Sequence, residues 1–360
     1  VLLACALALG ATGCRAEHLG ASDPGPRVPA RGAPAGAGAW TPPAGTIAYV
    51  SERDGRHHAY LYDTTSRETK PLDCGAAVDC YPAAAQRGAL ALVAAKDGPE
   101  GTHEEILLVR DPGPSQVDAA RARSLGFASR MVRNPAWTPD GRGVVVESSA
   151  RGFRDLYLVG RDGGAPKRLT HHEAGSFEPA ISPDGRSVAF VSSREGDAEI
   201  YLFALTDPRS LRRLTWSRGD DAAPRWSPDG TRIAYVSHRA GAAVVYLMDA
   251  DGARPRPLAP PGAGVLAQES PAWSPDGARI ALVERLRGEA RVCVVTVADG
   301  GRSWCAPGSD PPSWSPDGSA LALSSDHEGD LEIYAASALD GRAHRITERP
   351  GPDWLPRWLE

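Results

Sequence analysis

The chain has 360 residues, and its 39 Gly and 32 Pro make about one residue in five a helix breaker. Long helices therefore cannot dominate, while a hydrophobic content of 42% excludes disorder throughout. The formal net charge of −5 argues against a general nucleic-acid binder. Only Lys70, Lys96 and Lys167 among the 40 basic residues are Lys, an Arg bias that reflects genome composition rather than function.

Residues 1–13 read VLLACALALGATG, apolar or small throughout. A bilayer span needs about 20 residues, so this run is too short for one, but it suits the apolar core of an export signal. It ends Ala11-Thr12-Gly13-Cys14, which resembles the lipobox of bacterial lipoproteins, with Ala11 where Leu is usual. That resemblance implies lipidation of Cys14, and residues 1–14 are expected to be a lipoprotein signal peptide. Arg15 after the Cys, rather than Asp, implies the outer membrane by the same analogy. Residues 15–45 hold six Pro and six Gly among few large apolar residues. They are expected to form an extended tether.

From there on one phrase recurs. Its full copies start at Pro135, Pro179, Pro224, Pro271 and Pro312, each reading Pro-x-Trp-Ser-Pro-Asp-Gly with small variations. A worn copy starts at Pro82, and a truncated one is Pro356-Arg357-Trp358. Ser-Pro-Asp-Gly predicts a tight hairpin turn: Pro presets φ, Asp bonds its own backbone, and Gly accepts positive φ. A buried strand comes next, as in Ile233-Ala234-Tyr235-Val236-Ser237, and then a polar loop. A third strand such as Glu199–Phe203 leads through an Asp-Gly turn to a short basic fourth strand, such as Arg212-Arg213-Leu214-Thr215. Four strands per unit cannot bury their own faces, whereas copies set radially bury them against each other. The fold class expected for residues 46–360 is all-β, a single β-propeller of four-stranded blades. Trp137, Trp226, Trp273 and Trp314 are expected to wedge between blades as core.

The ends fit a closed ring. Thr46–Leu72 supplies second, third and fourth strands without a first, and residues 356–360 supply a first strand with nothing after it. Joining them completes one blade and removes the open sheet edges. Seven blades are expected, or six if residues 81–130 form no blade.

The repeated phrase with its Ile-Ala-Tyr-Val-Ser strand resembles the WD-like propeller repeat of the TolB family. The resemblance covers residues 46–360 and implies the propeller fold. It also implies a choice of roles, since propellers of this type serve as periplasmic protein-binding modules, as lids on serine peptidases, and occasionally as polysaccharide lyases. Members of the family carry an α/β domain ahead of the propeller, whereas a signal and a tether are expected here.

Besides Cys5 and Cys14, four cysteines fall in close pairs, Cys74/Cys80 and Cys293/Cys305. Cys293 and Cys305 are equidistant from the Asp299 turn, where cross-strand neighbours stand at a spacing disulfides accept. Two structural disulfides are expected, and with them an oxidising compartment.

Strand order sends the repeated turns to one face of the ring. The second-to-third loops and the blade-to-blade connections go to the other. That loop face collects His171, His172, Glu173, Glu178, Asp220, Asp221, His238, Glu269, Asp310, His327 and Asp353, with Arg130 and Arg133. It is the expected partner-binding rim. No Gly-x-Ser-x-Gly, His-Glu-x-x-His, phosphate loop or dinucleotide fingerprint occurs. No catalytic residue, metal site or cofactor is therefore assigned. The expected function is a non-catalytic, lipid-anchored, monomeric propeller that binds an envelope protein or a peptidoglycan-associated partner, without nucleic acid. The alternative is a metal-dependent oligouronide lyase or carbohydrate-binding propeller using the His-rich rim.

Overall fold

In a computed structural model, which describes residues 40–53, 55–86, 88–99, 101–110 and 122–359, the repeated phrase folds as its chemistry dictates. The hydroxyls of Thr138, Ser182, Ser227, Ser274 and Ser315 donate to the Asp two residues on at 2.5–2.6 Å. Each of those Asp carboxylates also accepts an amide two residues further along at 3.0 Å. The turn glycines come next at φ of 66–71°, a conformation that costs a side-chain-bearing residue but not Gly. These bonds hold the carboxyls of Asp140, Asp184, Asp229 and Asp276 below the usual range.

Each turn joins a first strand to an almost wholly buried second one, such as Arg232–Ser237. Third and fourth strands complete seven four-stranded antiparallel sheets. Their innermost strands are Asp79–Gln86, Val132–Trp137, Phe177–Ile181, Asp221–Trp226, Ala267–Trp273, Ser313–Trp314 and Asp353–Trp358. Neighbouring innermost strands touch in that order, and the last touches the first, so the ring is a seven-bladed propeller around a channel. Blades are numbered in chain order. Blade 1 contains Thr46–Arg53, blade 2 starts at Asp79, and blades 3 to 7 start at Val132, Phe177, Asp221, Ala267 and Ser313. The sheet between residues 79 and 129 settles the count at seven rather than six.

The closing strand Asp353–Trp358 pairs antiparallel with Thr46–Arg53, Ile47 opposite Trp358 and Ser51 opposite Asp353. Trp358 is buried among Ile47, Tyr49, Ala320 and Ile333, with Trp40 packed against the same cluster. The compact unit thus begins at Trp40, and Thr64 Oγ1 donates to the Pro43 and Gly45 carbonyls at 2.7 and 3.0 Å. Cys14 and residues 15–39 lie outside the described residues.

Trp137, Trp226, Trp273 and Trp314 do more than fill space. Each indole N–H donates to a backbone carbonyl of the preceding blade, of Ala84, Ala180, Arg225 and Ala272, at 3.0–3.1 Å. One side chain thereby buries a large apolar area between sheets and satisfies a carbonyl at the channel edge, where no further strand pairs it. Both expected disulfides are present, Cys74–Cys80 from the blade 1 to blade 2 connection to the first strand of blade 2 and Cys293–Cys305 across neighbouring strands of blade 6.

Candidate functional site

The short basic fourth strands have a specific partner. In blades 3, 4 and 7 the third strand opens on a buried acid, Asp155, Glu199 or Glu332. Arg168, Arg213 and Arg345 donate to those acids at 2.5–2.6 Å. Two residues past each Arg, the hydroxyls of Thr170, Thr215 and Thr347 accept the amide that comes after the acid, at 2.9 Å in all three. An acid, an Arg and a Thr thus lock the outer strand to the loop-face end of the third. A buried carboxylate held this way is tolerable because it is paired and hydrogen-bonded, through both oxygens in Asp155 and Glu332 and through Oε1 in Glu199. Blade 6 solves the same problem differently: Glu284 accepts from Arg291, Arg302 and Gln268, and these bonds together outweigh burial to lower its pKa.

The predicted rim residues divide sharply. Arg130, His171, Glu173, Asp220 and His327 are exposed on the loop face, and His172 and His238 are half-buried there. Asp221 and Asp353 correct the expectation. They open innermost strands, where the pleat turns them inward, and they are 0% and 1% exposed. Asp221 accepts from Ser217 Oγ and Arg239 at 2.9 and 3.2 Å. Burial pushes the Asp353 carboxyl up, with Ser51 and Thr347 beside it. Glu269 is paired with Arg285 and Arg133 with Glu104, at 3.1 and 3.4 Å.

Glu178 and Asp310 are half-buried, and each also bonds to the backbone of another blade. In five blades the residue before the repeated Pro is left-handed: Asn134, Glu178, Ala223, Ser270 and Leu355 have φ of 48–53°. The ladder to the second strand shifts register at those places, so each is a bulge at the channel wall. The acids cap these bulges from one blade to the next. Glu178 Oε2 accepts the Ala223 amide at 2.7 Å, and Asp310 Oδ2 accepts the Leu355 amide at 3.3 Å. Burial pushes the Glu178 carboxyl up.

Two groups of residues lie outside the sequence expectation. Phe153, Trp216 and Leu266 are 46%, 68% and 54% exposed. Phe153 sits in the second-to-third loop of blade 3, Trp216 in the connection from blade 4 to blade 5, and Leu266 in the connection from blade 5 to blade 6. All three therefore stand on the loop face, in successive blades. On the turn face the matching large exposed side chain is Leu339, at 85%. The second group is at the channel. The residue after the repeated Pro is Ala83, Ala136, Ala180, Arg225, Ala272, Ser313 or Arg357, so two long cations stand among small side chains.

Among the described residues, the group of three metal-ligating side chains that converges is Glu284, Cys293 and Cys305. Its two sulfurs are joined to each other in the disulfide, which leaves no thiolate for a metal.

Residues 115–208, 176–269 and 245–360 match the family model described as TolB beta propeller domain. Among curated proteins none matches the chain by sequence. Of solved structures, TolB from Acinetobacter baumannii is 21% identical, with a TM-score of 0.59 over 89% of this chain and 81% of its own. An oligogalacturonate lyase from Vibrio parahaemolyticus is 12% identical, with a TM-score of 0.60 over 85% of each chain. A puromycin-hydrolyzing peptidase from Mycobacterium tuberculosis is 16% identical, with a TM-score of 0.61 over 85% of this chain and 54% of its own. At these identities the likeness is one of fold.

Proposed function

The chain belongs to the TolB β-propeller domain family, and on that premise we propose that it is an exported, lipid-anchored binding module without a catalytic role. Its loop face engages a protein of the bacterial cell envelope. The observation that carries this reading is the exposure of Phe153, Trp216 and Leu266 on that one face. Exposed large apolar side chains grouped on one face mark interaction surfaces, and aromatic anchors dominate binding energy where they become buried. His171, Glu173 and Asp220 are exposed in loops of the same face and supply polar groups of both kinds, as at the rim of a protein interface. Two disulfides support an oxidising compartment. Cys14 holds the lipid, and the Pro- and Gly-rich residues 15–39 let the propeller stand off the membrane.

The test is recovery of a partner from detergent-solubilised envelopes, and then rebinding of that partner in purified form. Replacing Phe153, Trp216 and Leu266 together by Ser should leave the unfolding midpoint unchanged and abolish rebinding. Undiminished rebinding would reject the loop face as the site. Cys14→Ser should move the protein from the membrane to the soluble fraction, and retention of the variant on membranes would reject the anchor.

A further inference from the structure

Arg225 and Arg357 occupy the same repeat position in blades 5 and 1. Those blades are three apart in the ring of seven, so the two residues approach the channel from nearly opposite walls. The other five residues at this position are Ala or Ser, so the two guanidiniums are the long side chains the repeat position contributes. Both arginines are partly accessible to solvent and yet deep inside the ring. Burial lowers the pKa of each, and for Arg357 the charge of Arg225 adds to burial and brings it to about 10. Two like charges are thus held near each other in a poorly solvated place, which is unfavourable unless something offsets it.

Among the described residues nothing does so by direct contact. Arg225 Nη1 donates to the Pro224 carbonyl at 2.9 Å. Arg357 Nη1 donates to the Pro356 and Pro311 carbonyls at 3.1 and 3.4 Å. Neither forms an ion pair with a carboxylate among the described residues, in a chain where Arg154, Arg168, Arg213, Arg239, Arg302 and Arg345 all do. The nearby acids are otherwise engaged: Glu178 and Asp310 spend an oxygen each on the bulge amides and act on the arginines only at a distance. The guanidinium donors not given to carbonyls remain available.

We infer that Arg225 and Arg357 form an oxyanion-binding site inside the channel, which takes a single carboxylate or phosphate group between the two guanidiniums. The planar donor fork of Arg matches both anions, whereas a Lys at the same position would offer only a point charge. Two sources present this chemistry, a free inorganic ion and the terminal carboxylate of a peptide that threads into the channel. The site does not depend on the loop-face reading, because it is built from innermost strands alone.

The experiment titrates the intact exported chain at constant ionic strength, made up with chloride, by calorimetry and by thermal unfolding. The probes are inorganic phosphate and a tripeptide with its C-terminus either free or amidated. Saturable binding of phosphate or of the free-ended tripeptide is expected, with a rise in the unfolding midpoint. Arg225→Gln and Arg357→Gln should each weaken it by at least roughly tenfold. Without anion the same variants should unfold at the wild-type temperature or above it, since each removes one of two repelling charges. That sign separates a ligand site from a merely structural role, whose loss would lower the midpoint. Preference for phosphate identifies a free ion as the source, and binding of the free but not the amidated tripeptide identifies a chain end. Two results would overturn the site: no saturable binding of any probe, or binding that survives both substitutions. If one variant fails to fold, the other carries the test.

Discussion

On the turn face, five hydroxyl–aspartate turns repeat the same bonds to within a tenth of an ångström. On the loop face, the second-to-third loops hold Phe153 in one blade, His238 and Arg239 in another, and His327 and Glu328 in a third. Identical turns serve one purpose, which is to start every second strand in register. In blades 3, 4 and 7 the loops are free of that duty, because the lock at their end is made underneath by the buried acid, Arg and Thr. The contrast teaches where variation is tolerated: above a buried hydrogen-bonded network, and not within a turn whose own side chains hold it.

Four substitutions sharpen this contrast, the largest effect first. Trp358→Ala removes the large side chain that closes the ring, 3% exposed among core residues, and should destabilise by about 4 kcal/mol in chemical denaturation. Glu332→Ala strands Arg345 and Thr347 at the base of a loop. It should cost about 3 kcal/mol, somewhat below a fully buried pair because Arg345 can turn toward water. Asp229→Asn weakens one turn-face bond set and should cost about 1 kcal/mol at neutral pH. Because the folded pKa of Asp229 lies below its unfolded value, its contribution is complete above the ordinary carboxylate range and is lost as pH falls through the folded pKa. The difference between wild type and Asp229→Asn should therefore shrink on acidification from about pH 4 downward. Trp216→Ser, on the loop face, should change stability by less than about 0.5 kcal/mol. A cost of several kcal/mol there would mean that the loops hold the blades and that the contrast is false.

Much of the architecture was legible because it is periodic. Ser-Pro-Asp-Gly carries its own turn chemistry, and Pro356-Arg357-Trp358 is recognisable as a first strand because the same phrase opens a blade at six other places. The site was less legible. Asp221 and Asp353 read as rim acids because they come after polar connections, and only the strand pleat shows them facing inward. Arg168, Arg213 and Arg345 read as generic basic residues, since their buried partners lie 13 or 14 positions earlier with no local signature. Phe153, Trp216 and Leu266 are isolated apolar residues in loops, with no period to mark them. Arg225 and Arg357 did carry a signal. Aligning the repeats sets them against Ala and Ser, but its meaning appears only when the position is known to border the channel.

The division of labour between the two faces is tested most directly by placing a photoreactive side chain at position 216 or at position 339, exposed sites on opposite faces, and irradiating intact cells. Position 216 should join covalently to one defined envelope protein, which the purified propeller then binds again, and position 339 should not reach it. Attachment of that protein through position 339, with none through position 216, would contradict that division of labour.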